Sequence, residues 1–149
     1  MRVSTDLPVA ADRAFELAHK LALFEYVVWP VLRLAVSDEQ RALAADPEGF
    51  SIGDDFSARL WFFQVIPAWM HHLKIVADGD LELYTNERSG PARLWNHRLT
   101  FVPTGESSCR YTDAVEIEGG PLGLGTAVFI HVFFRYRQWR WRQLTRVLA

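Results

Sequence analysis

The sequence predicts one α+β domain, residues 1–149, in which a curved antiparallel sheet wraps a long C-terminal helix. Residues 55–118 alternate between apolar and polar side chains and are divided by short turns, as consecutive antiparallel strands are. Residues 126–149 contain no glycine or proline and have the period of an amphipathic helix about 35 Å long. An antiparallel sheet with one apolar face must be covered, and this helix is the only predicted element that is long enough.

The composition fits a single domain with a sizeable core. Half of the 149 residues are hydrophobic, and six Trp and ten Phe can fill a core or line a cavity with rings. The formal net charge of −2 gives no overall attraction to nucleic acids or membranes. The single cysteine, Cys109, excludes an internal disulfide and is interpreted as an inert core thiol. No signal-peptide core or apolar span is visible, so we expect a cytoplasmic protein.

The predicted order is one strand, two short helices, six strands and the long helix. Residues 2–9 are compatible with a strand, and residues 11–20 and 21–29 each suit a short helix, the second ended by Pro30. A strand is predicted at residues 31–36. Residues 37–54 are polar and are predicted to form a loop with one helical turn at residues 38–44.

Five further strands are predicted at residues 56–66, 69–77, 81–88, 93–102 and 109–118. Alternation assigns the inward face of three of them: Trp69, His71, Leu73 and Ile75; Trp95, His97, Leu99 and Phe101; and Tyr111, Asp113, Val115 and Ile117. His72 and Lys74 are expected to be solvated. Residues 119–125 are rich in glycine and are interpreted as a hinge before the last helix rather than as a phosphate-binding loop, because no Gly-Lys-Ser/Thr ending follows.

The last helix is predicted to bury one broad face. Its apolar arc comprises Phe129, Ile130, Phe133, Phe134, Tyr136, Trp141, Leu144, Val147 and Leu148, and its opposite arc comprises His131, Arg135, Gln138, Arg142 and Arg146. Because residues 127–134 are apolar almost all round, the N-terminal half is predicted to be the deeper half. Arg137 and Arg140 fall inside the apolar arc. They are expected to extend past the sheet edge, to reach the mouth of a cavity, or to pair with Asp113, Glu82 or Glu116.

Three local motifs carry a resemblance to a known family. They are the turn Ser89-Gly90-Pro91 with Trp95 and His97, the stretch Tyr111-Thr112-Asp113 with the glycine-rich residues 119–123, and Phe134-Arg135-Tyr136-Arg137 ahead of Trp141-Arg142-Gln143-Leu144. With the element order, these motifs resemble bacterial ligand-binding proteins of the START/SRPBCC superfamily, which share the helix-grip fold with pollen-allergen-like proteins and polyketide cyclases. The resemblance implies a cavity for an apolar ligand between the sheet and the last helix.

His97 and Asp113 are the candidate catalytic residues, although the sequence assigns no catalytic role firmly. If strands pair so that residue numbers sum to about 210, the two lie directly opposite each other, and a register two residues away keeps them on one face. A buried carboxylate needs a partner, and an imidazole can provide one. The pair would orient a ligand or act as a general base. The alternative is a structural hydrogen-bonded pair.

A metal site is not expected, although His71, His97 and Asp113 are all predicted to point inward. No spacing of the HxH or HExxH kind fixes three ligands, and the resemblance implies no metal. The sequence therefore predicts neither a metal nor a cofactor.

The predicted ligand-binding residues add aromatic rings and two arginines to this group. The rings are Trp61, Phe63, Trp69, Trp95, Phe101, Tyr111, Phe129, Phe133 and Tyr136. Arg137 is included, and Arg59 would anchor a ligand carboxylate if its side chain points inward. Both faces of residues 56–66 are apolar, so the direction of Arg59 stays open.

The function predicted from these observations is binding of a small hydrophobic ligand, whether a lipid, a polyketide-like molecule or an aromatic compound. One alternative is a cyclase-like or dehydratase-like enzyme that uses His97 and Asp113 as acid and base. Another is a peripheral membrane adaptor acting through the Arg- and Trp-rich last helix. Membrane contact is less favoured and nucleic acid binding is not expected, since the sheet claims the apolar face of that helix. The sequence indicates no particular oligomeric state.

Overall fold

The computed structural model describes residues 1–45, 51–90, 92–118 and 124–148. The strands and helices in these residues are β1 (Arg2–Leu7), α1 (Ala11–Ala18), α2 (Leu21–Val28), β2 (Leu32–Ala35), α3 (Asp38–Ala44), β3 (Asp55–Phe62), β4 (Ile66–Gly79), β5 (Glu82–Ser89), β6 (Ala92–Gly105), β7 (Ser108–Glu118) and α4 (Leu124–Leu148). The α+β helix-grip fold and the predicted order of its elements are confirmed.

One antiparallel sheet of seven strands carries the fold, in the order β1-β7-β6-β5-β4-β3-β2. Strands β2 to β7 form a meander. The last strand, β7, also pairs with the first strand, β1. Helix α4 lies against β1 and α2, and α1 lies against β6 and β7. The curved sheet therefore packs against α4, with the two short helices beside it. Side chains from α4 and from several strands face the space between them.

Three aromatic rings, those of Phe101, Tyr111 and Trp141, pack together between the sheet and α4. The ring centroids of Phe101 and Tyr111 are 5.1 Å apart, and those of Tyr111 and Trp141 are 5.3 Å apart. All three side chains are buried. Burying an aromatic side chain stabilises the fold by about 1.5–3 kcal/mol, so this ring cluster joins α4 firmly to β6 and β7.

The buried face of α4 differs from the predicted arc. Its buried residues are Ile130, Phe133, Phe134, Arg137, Gln138, Trp141 and Thr145. Phe129, Val147 and Leu148 were predicted inside but are 44%, 82% and 49% exposed, while Gln138 was predicted outside but is only 2% exposed. The buried face of α4 is a stripe of residues at spacings of three and four from Ile130 to Thr145. Every side chain on this stripe is buried, including the polar ones.

The prediction that the N-terminal half of α4 is deeper is wrong. Val128 and Val132 are more than half exposed, whereas Trp141 and Thr145 are almost completely buried. The short helix α2 and the strand β1 both contact α4, and the guanidinium of Arg140 donates to the carbonyl of Tyr26 in α2 at 3.2 Å. The C-terminal half is therefore enclosed by more neighbours than the N-terminal half.

The strand predicted at residues 56–66 is interrupted by a turn. Strand β3 ends at Phe62, and β4 begins at Ile66. Between them Phe63 and Gln64 have φ angles of +47° and +71°. Tight hairpin turns need this left-handed backbone and usually take Gly, Asn or Asp for it, so an apolar run without those residues gave no sign of a turn.

Of the two registers considered for β6 and β7, the structure has the one that is shifted by two residues. His97 pairs with Val115 and Asp113 pairs with Leu99. Gly105 pairs with Ser108, so the turn lies just beyond Gly105 and not around it, and a bulge between Pro103 and Gly105 changes the register by one residue. The face of both side chains is unchanged, as the side-chain period of two requires.

Candidate functional site

Four buried titratable side chains form a row across the concave face of the sheet. His71 lies on β4, Glu87 on β5, His97 on β6 and Asp113 on β7, so each comes from a neighbouring strand. His71 Nε2 is 3.1 Å from Glu87 Oε2, and His97 Nδ1 is 3.5 Å from Glu87 Oε1. His97 Nε2 is 2.5 Å from Asp113 Oδ1. We call these four residues the charge row.

A hydroxyl group also donates a hydrogen bond to Glu87, the carboxylate between the two histidines. Thr85, two residues before Glu87 on the same face of β5, donates its Oγ1 proton to Glu87 Oε1 at 2.7 Å. Residues at spacing two on a strand share a face, and the sequence therefore aims both side chains inward. Glu87 thus has contacts with His71, His97 and Thr85, which compensate for its removal from water.

The charges of the row favour one another. Burial alone would raise the pKa of Glu87, but hydrogen bonds and positive charge from His71 and His97 lower it well below its usual value. Burial lowers the pKa of His97, but the carboxylates of Asp113 and Glu87 outweigh it and raise that pKa. Burial raises the pKa of Asp113, and Arg137 and His97 together lower it below the ordinary value. Glu87 and Asp113 are therefore carboxylates flanking an imidazolium.

This arrangement opposes a role for His97 as a general base. Each of its ring nitrogens lies beside a carboxylate oxygen, at 2.5 Å from Asp113 and 3.5 Å from Glu87. A general base needs a free lone pair within reach of the proton that it removes. Both ring nitrogens of His97 face carboxylates, and its raised pKa favours the protonated ring, which has no free lone pair, so the geometry suits a side chain that holds two carboxylates in place.

A small pocket adjoins the charge row, enclosed by α1, α2, the inner face of the sheet and α4. Its lining residues are Ala18, Leu21, Leu23, Phe24, Val27, Phe56, Leu73, Ile75, Leu83, Thr85, Glu87, His97, Leu99, Tyr111, Arg137 and Trp141. Its volume is about 70 Å³, counted as the space that the centre of a water molecule can reach. A single water needs about 10–15 Å³ of such space, so several waters or one small organic molecule would fill it. The polar side chains among the lining residues are Thr85, Glu87, His97, Tyr111 and Arg137, and the others are apolar.

Arg137 enters this pocket from α4 as a buried cation. Its guanidinium carbon lies 4.7 Å from the ring centre of Phe134 and 5.7 Å from that of Phe24. Within the described residues it forms no ion pair, and its Nε has no hydrogen-bond partner. Its charge nevertheless lowers the pKa of Asp113, so it lies near the row without touching it.

The sequence matches one family profile over residues 5–148, that of a domain of unknown function, DUF8410. The chain belongs to the DUF8410 family. No curated protein sequence matches it significantly.

Solved structures of the same fold resemble the DUF8410 chain at low sequence identity. A protein from Chromobacterium violaceum has a TM-score of 0.70 at 12% identity, over 97% of this chain and 95% of that chain. A START superfamily protein from Mycobacterium smegmatis has a TM-score of 0.65 at 11% identity, over 100% and 98%. Norcoclaurine synthase from Thalictrum flavum, in complex with dopamine and hydroxybenzaldehyde, has a TM-score of 0.64 at 12% identity, over 100% and 87%. Together these similarities show that the DUF8410 chain has a START/SRPBCC-like fold.

Some of the predicted site residues of the DUF8410 chain meet at this site. His97, Tyr111 and Arg137 line the pocket, and His71 and Asp113 belong to the charge row. Burial and the Asp113 carboxylate together raise the pKa of Tyr111 well above its ordinary value, which keeps the phenol protonated. These five predicted residues therefore lie together between the concave face of the sheet and α4.

Four of the other predicted residues lie along β3, the turn and β4, away from the pocket. Arg59 points outward and donates to the carbonyl of Ala68 at 3.4 Å. Trp61 is half-buried beneath the guanidinium of Arg33, and Phe63 is mostly exposed at the turn. Trp69 donates from Nε1 to Ser89 Oγ at 2.6 Å. The inward face of β3 is taken by Phe56, Ala58 and Leu60, which decides the direction of Arg59.

The remaining predicted rings belong to the core or the surface of the DUF8410 chain. Trp95 stacks on Phe134, and Phe101 belongs to the ring cluster. Phe133 is buried and lies parallel to the exposed Phe129, with ring centres 6.1 Å apart. Tyr136 donates from its hydroxyl to the carbonyl of Trp29 at 2.5 Å. None of these side chains lines the pocket.

Two important residues were missed by the sequence analysis. Glu87 lies at the centre of the charge row, and Trp141 lines the pocket. A signal for Glu87 was present, because Leu83, Thr85 and Glu87 have the same parity on β5 and a buried Leu83 implies a buried Glu87. Trp141 had been assigned to the apolar arc of the helix, but nothing local to the sequence distinguished a wall of the pocket from core.

The described residues contain no group of three or more His, Cys, Asp or Glu side chains arranged to hold a metal ion. The charge row does not form such a group. Its carboxylates alternate with imidazoles, and these imidazoles already contact them. Among the helices of residues 1–45, 51–90, 92–118 and 124–148, none has both the length and the apolar character required to cross a membrane.

Proposed function

We propose that this chain binds a small, mainly apolar molecule in the pocket between the sheet, α2 and α4. The observation that carries the proposal is the composition of the pocket: most of its lining side chains are aliphatic or aromatic, and three of them, Glu87, His97 and Arg137, are charged or titratable near neutral pH. Binding sites for small molecules have this composition, with apolar walls for affinity and a few placed polar groups for orientation.

The volume of the pocket favours the smallest of the expected ligand classes. About 70 Å³ of space suits a molecule the size of one aromatic ring rather than a lipid chain or a fused polyketide. The ring cluster of Phe101, Tyr111 and Trp141 fills the neighbouring space, so a larger guest would have to displace it. Norcoclaurine synthase, which has the same fold, is known in complex with the single-ring compounds dopamine and hydroxybenzaldehyde. That analogy supports an aromatic ligand but rests on fold alone.

The enzymatic alternative has less support. A cyclase or dehydratase that used His97 as a base would need an unprotonated ring nitrogen facing the ligand. His97 instead lies between Glu87 and Asp113, and its pKa is raised. The row is better suited to orienting a ligand than to moving its protons.

Replacing each of two alanines by phenylalanine tests the proposal. Ala18 lines the pocket from α1, whereas Ala22 is exposed on α2. Thermal unfolding would be measured with a panel of neutral and anionic single-ring aromatic compounds for the wild type, Ala18→Phe and Ala22→Phe. We expect some compounds to raise the Tm of the wild type and of Ala22→Phe but not that of Ala18→Phe, because a ligand that binds only the native state stabilises it.

The same experiment can contradict the proposal. Compounds that raise the Tm of all three proteins equally would bind elsewhere, and a panel without any effect on the wild type would argue against a ligand of this class. The Tm values without ligand show whether Ala18→Phe is still folded.

A further inference from the structure

Arg137 differs from the other buried charged side chains of the described residues because it has no ion-pair contact. His19 contacts Asp78, and His71, Glu87, His97 and Asp113 contact one another within the charge row. Among the buried charged side chains of the described residues, Arg137 alone has no ion pair. It is only 6% exposed.

An arginine in this position is costly unless something compensates for its lost hydration. A guanidinium remains charged at any ordinary pH, and a buried charge without a partner destabilises the fold. The rings of Phe134 and Phe24 compensate in part through cation–π contacts. They leave the planar N–H donors free, however, because ring faces attract the charge without accepting directed hydrogen bonds in the guanidinium plane.

The position of Arg137 makes these free donors available to a ligand. Arg137 lines the pocket together with the polar side chains of Thr85, Glu87, His97 and Tyr111, and the other lining side chains are apolar. Glu87 and His97 already contact each other and their neighbours on the strands, whereas the hydroxyl of Tyr111 has no hydrogen-bond partner among the described residues. Among the charged side chains that line the pocket, the one without an ion pair in the described part of the chain is therefore the cation Arg137, and the Tyr111 hydroxyl is a second unpaired donor.

We infer that the ligand carries a carboxylate that pairs with Arg137, while its apolar part occupies the space lined by α2 and the sheet. This inference rests on the proposed function, of which it names the ligand class. A carboxylate matches the planar fork of a guanidinium and accepts two parallel hydrogen bonds from it. The ligand class is thus a small aryl or alkyl carboxylic acid rather than an amine or a neutral compound.

The test compares acids with their own amides, which have almost the same shape but no charge. Isothermal titration would be carried out with benzoate, phenylacetate and cinnamate and with the corresponding primary amides. We expect the wild type to bind at least one acid about tenfold or more tightly than its amide. Arg137→Met and Arg137→Gln should reduce the affinity for the acid to that for the amide, and Arg137→Lys should keep part of the preference.

Arg140 provides the matched control. It lies one turn further along α4, half-buried, with its guanidinium 3.8 Å from the ring centre of Tyr26, and it does not line the pocket. Arg140→Met should therefore leave the preference for the acid unchanged. Amide binding by each variant serves as a check that the pocket is still folded, since the amide does not depend on the charge of Arg137.

The outcomes separate this inference from the proposed function. If the wild type binds acid and amide with equal affinity, and Ala18→Phe blocks the binding of both, the carboxylate assignment is overturned. The proposed binding pocket is supported by that same result. A preference for the acid that survives in Arg137→Met and Arg137→Gln would also overturn the assignment. If no acid or amide binds, or if Ala18→Phe does not affect binding, both the assignment and the pocket function are contradicted.

Discussion

His97 and Asp113 form their hydrogen bond diagonally across β6 and β7, not from directly paired positions. Nε2 and Oδ1 are 2.5 Å apart, although Val115 is the residue opposite His97. Diagonal neighbours on one face of an antiparallel pair are close enough for long side chains to meet. Glu87 contacts the other nitrogen of the ring from β5. The row is thus a single connected unit that spans β4 to β7.

The first prediction concerns the stability that His97 contributes. His97→Gln removes the positive charge between two buried carboxylates, so the free energy of unfolding should fall by about 3–5 kcal/mol. The matched control is Arg98→Gln on the same strand, because Arg98 pairs with Glu82 at the surface. An exposed pair contributes less than about 1 kcal/mol. Urea unfolding would measure both, and equal losses in the two variants would contradict a buried charge row.

The second prediction concerns pH. The raised pKa of His97 means that the folded state binds the proton more tightly than the unfolded state, whose histidines titrate near about 6.5. The stabilisation is therefore complete below about pH 6.5 and is lost as the pH rises through the pKa of the folded state. NMR titration of the ring signals should show His97 still protonated above pH 6.5. A ring that loses its proton at or below that value would be incompatible with the row.

The carboxylates of the row produce the opposite dependence on the acid side. The pKa values of Glu87 and Asp113 are lowered in the folded state. Their contribution is present above the ordinary carboxyl pKa of about 4 and is lost as the pH falls through the folded values. Stability should therefore be highest between about pH 4 and 6.5 if other groups contribute little, and a series of urea unfolding curves would reveal that maximum.

The third prediction concerns the thiol of Cys109. It is completely buried between β1 and β6 on β7, and burial, with a smaller effect of Asp6, raises its pKa to about 11. At pH 8 the thiolate, which is the reactive form, is about a thousandth of the total. Labelling by a disulfide reagent should be slow in the folded protein and fast in urea. Rapid labelling without denaturant would show that Cys109 is accessible.

The fourth prediction concerns Gly90 in the turn after β5. Its φ of +53° is left-handed, and a Cβ at this position would lie 2.6 Å from Cγ of Trp69. Gly53 also has a positive φ, of +92°, but a Cβ there would meet nothing within 4 Å. Gly53→Ala should cost about 1–2 kcal/mol from backbone strain alone, and Gly90→Ala should cost at least about 1 kcal/mol more. Similar losses of Tm in both variants would exclude the close contact with Trp69.

Local signals in the sequence predicted the elements well. The helical turn at Asp38–Ala44 is present with those bounds, and the Oγ of Ser37 accepts a hydrogen bond from the backbone N–H of Gln40, as an N-cap does. Strand alternation also placed His71, His97 and Asp113 on the concave face. Such features depend on residues a few positions apart, and one sequence contains all of the information required.

Features that depend on distant partners were harder to predict. The helical wheel for α4 placed Gln138 on the polar arc, yet Gln138 is buried because the stripe in contact with the sheet passes through it. The pocket wall formed by Leu21, Phe24 and Val27 depends on where α2 lies against the sheet. Periodicity reveals that a residue is apolar and on which side of its own element it lies, but not what lies opposite.

Methyl NMR of the protein titrated with the tightest-binding compound tests the binding pocket most directly. The account predicts that signals from Val27, Ile75, Leu83 and Leu99, which line the pocket, shift during the titration. Signals from Val102 and Val147, which are exposed, should stay in place. Shifts confined to the exposed methyl groups, with those of the pocket unchanged, would contradict it.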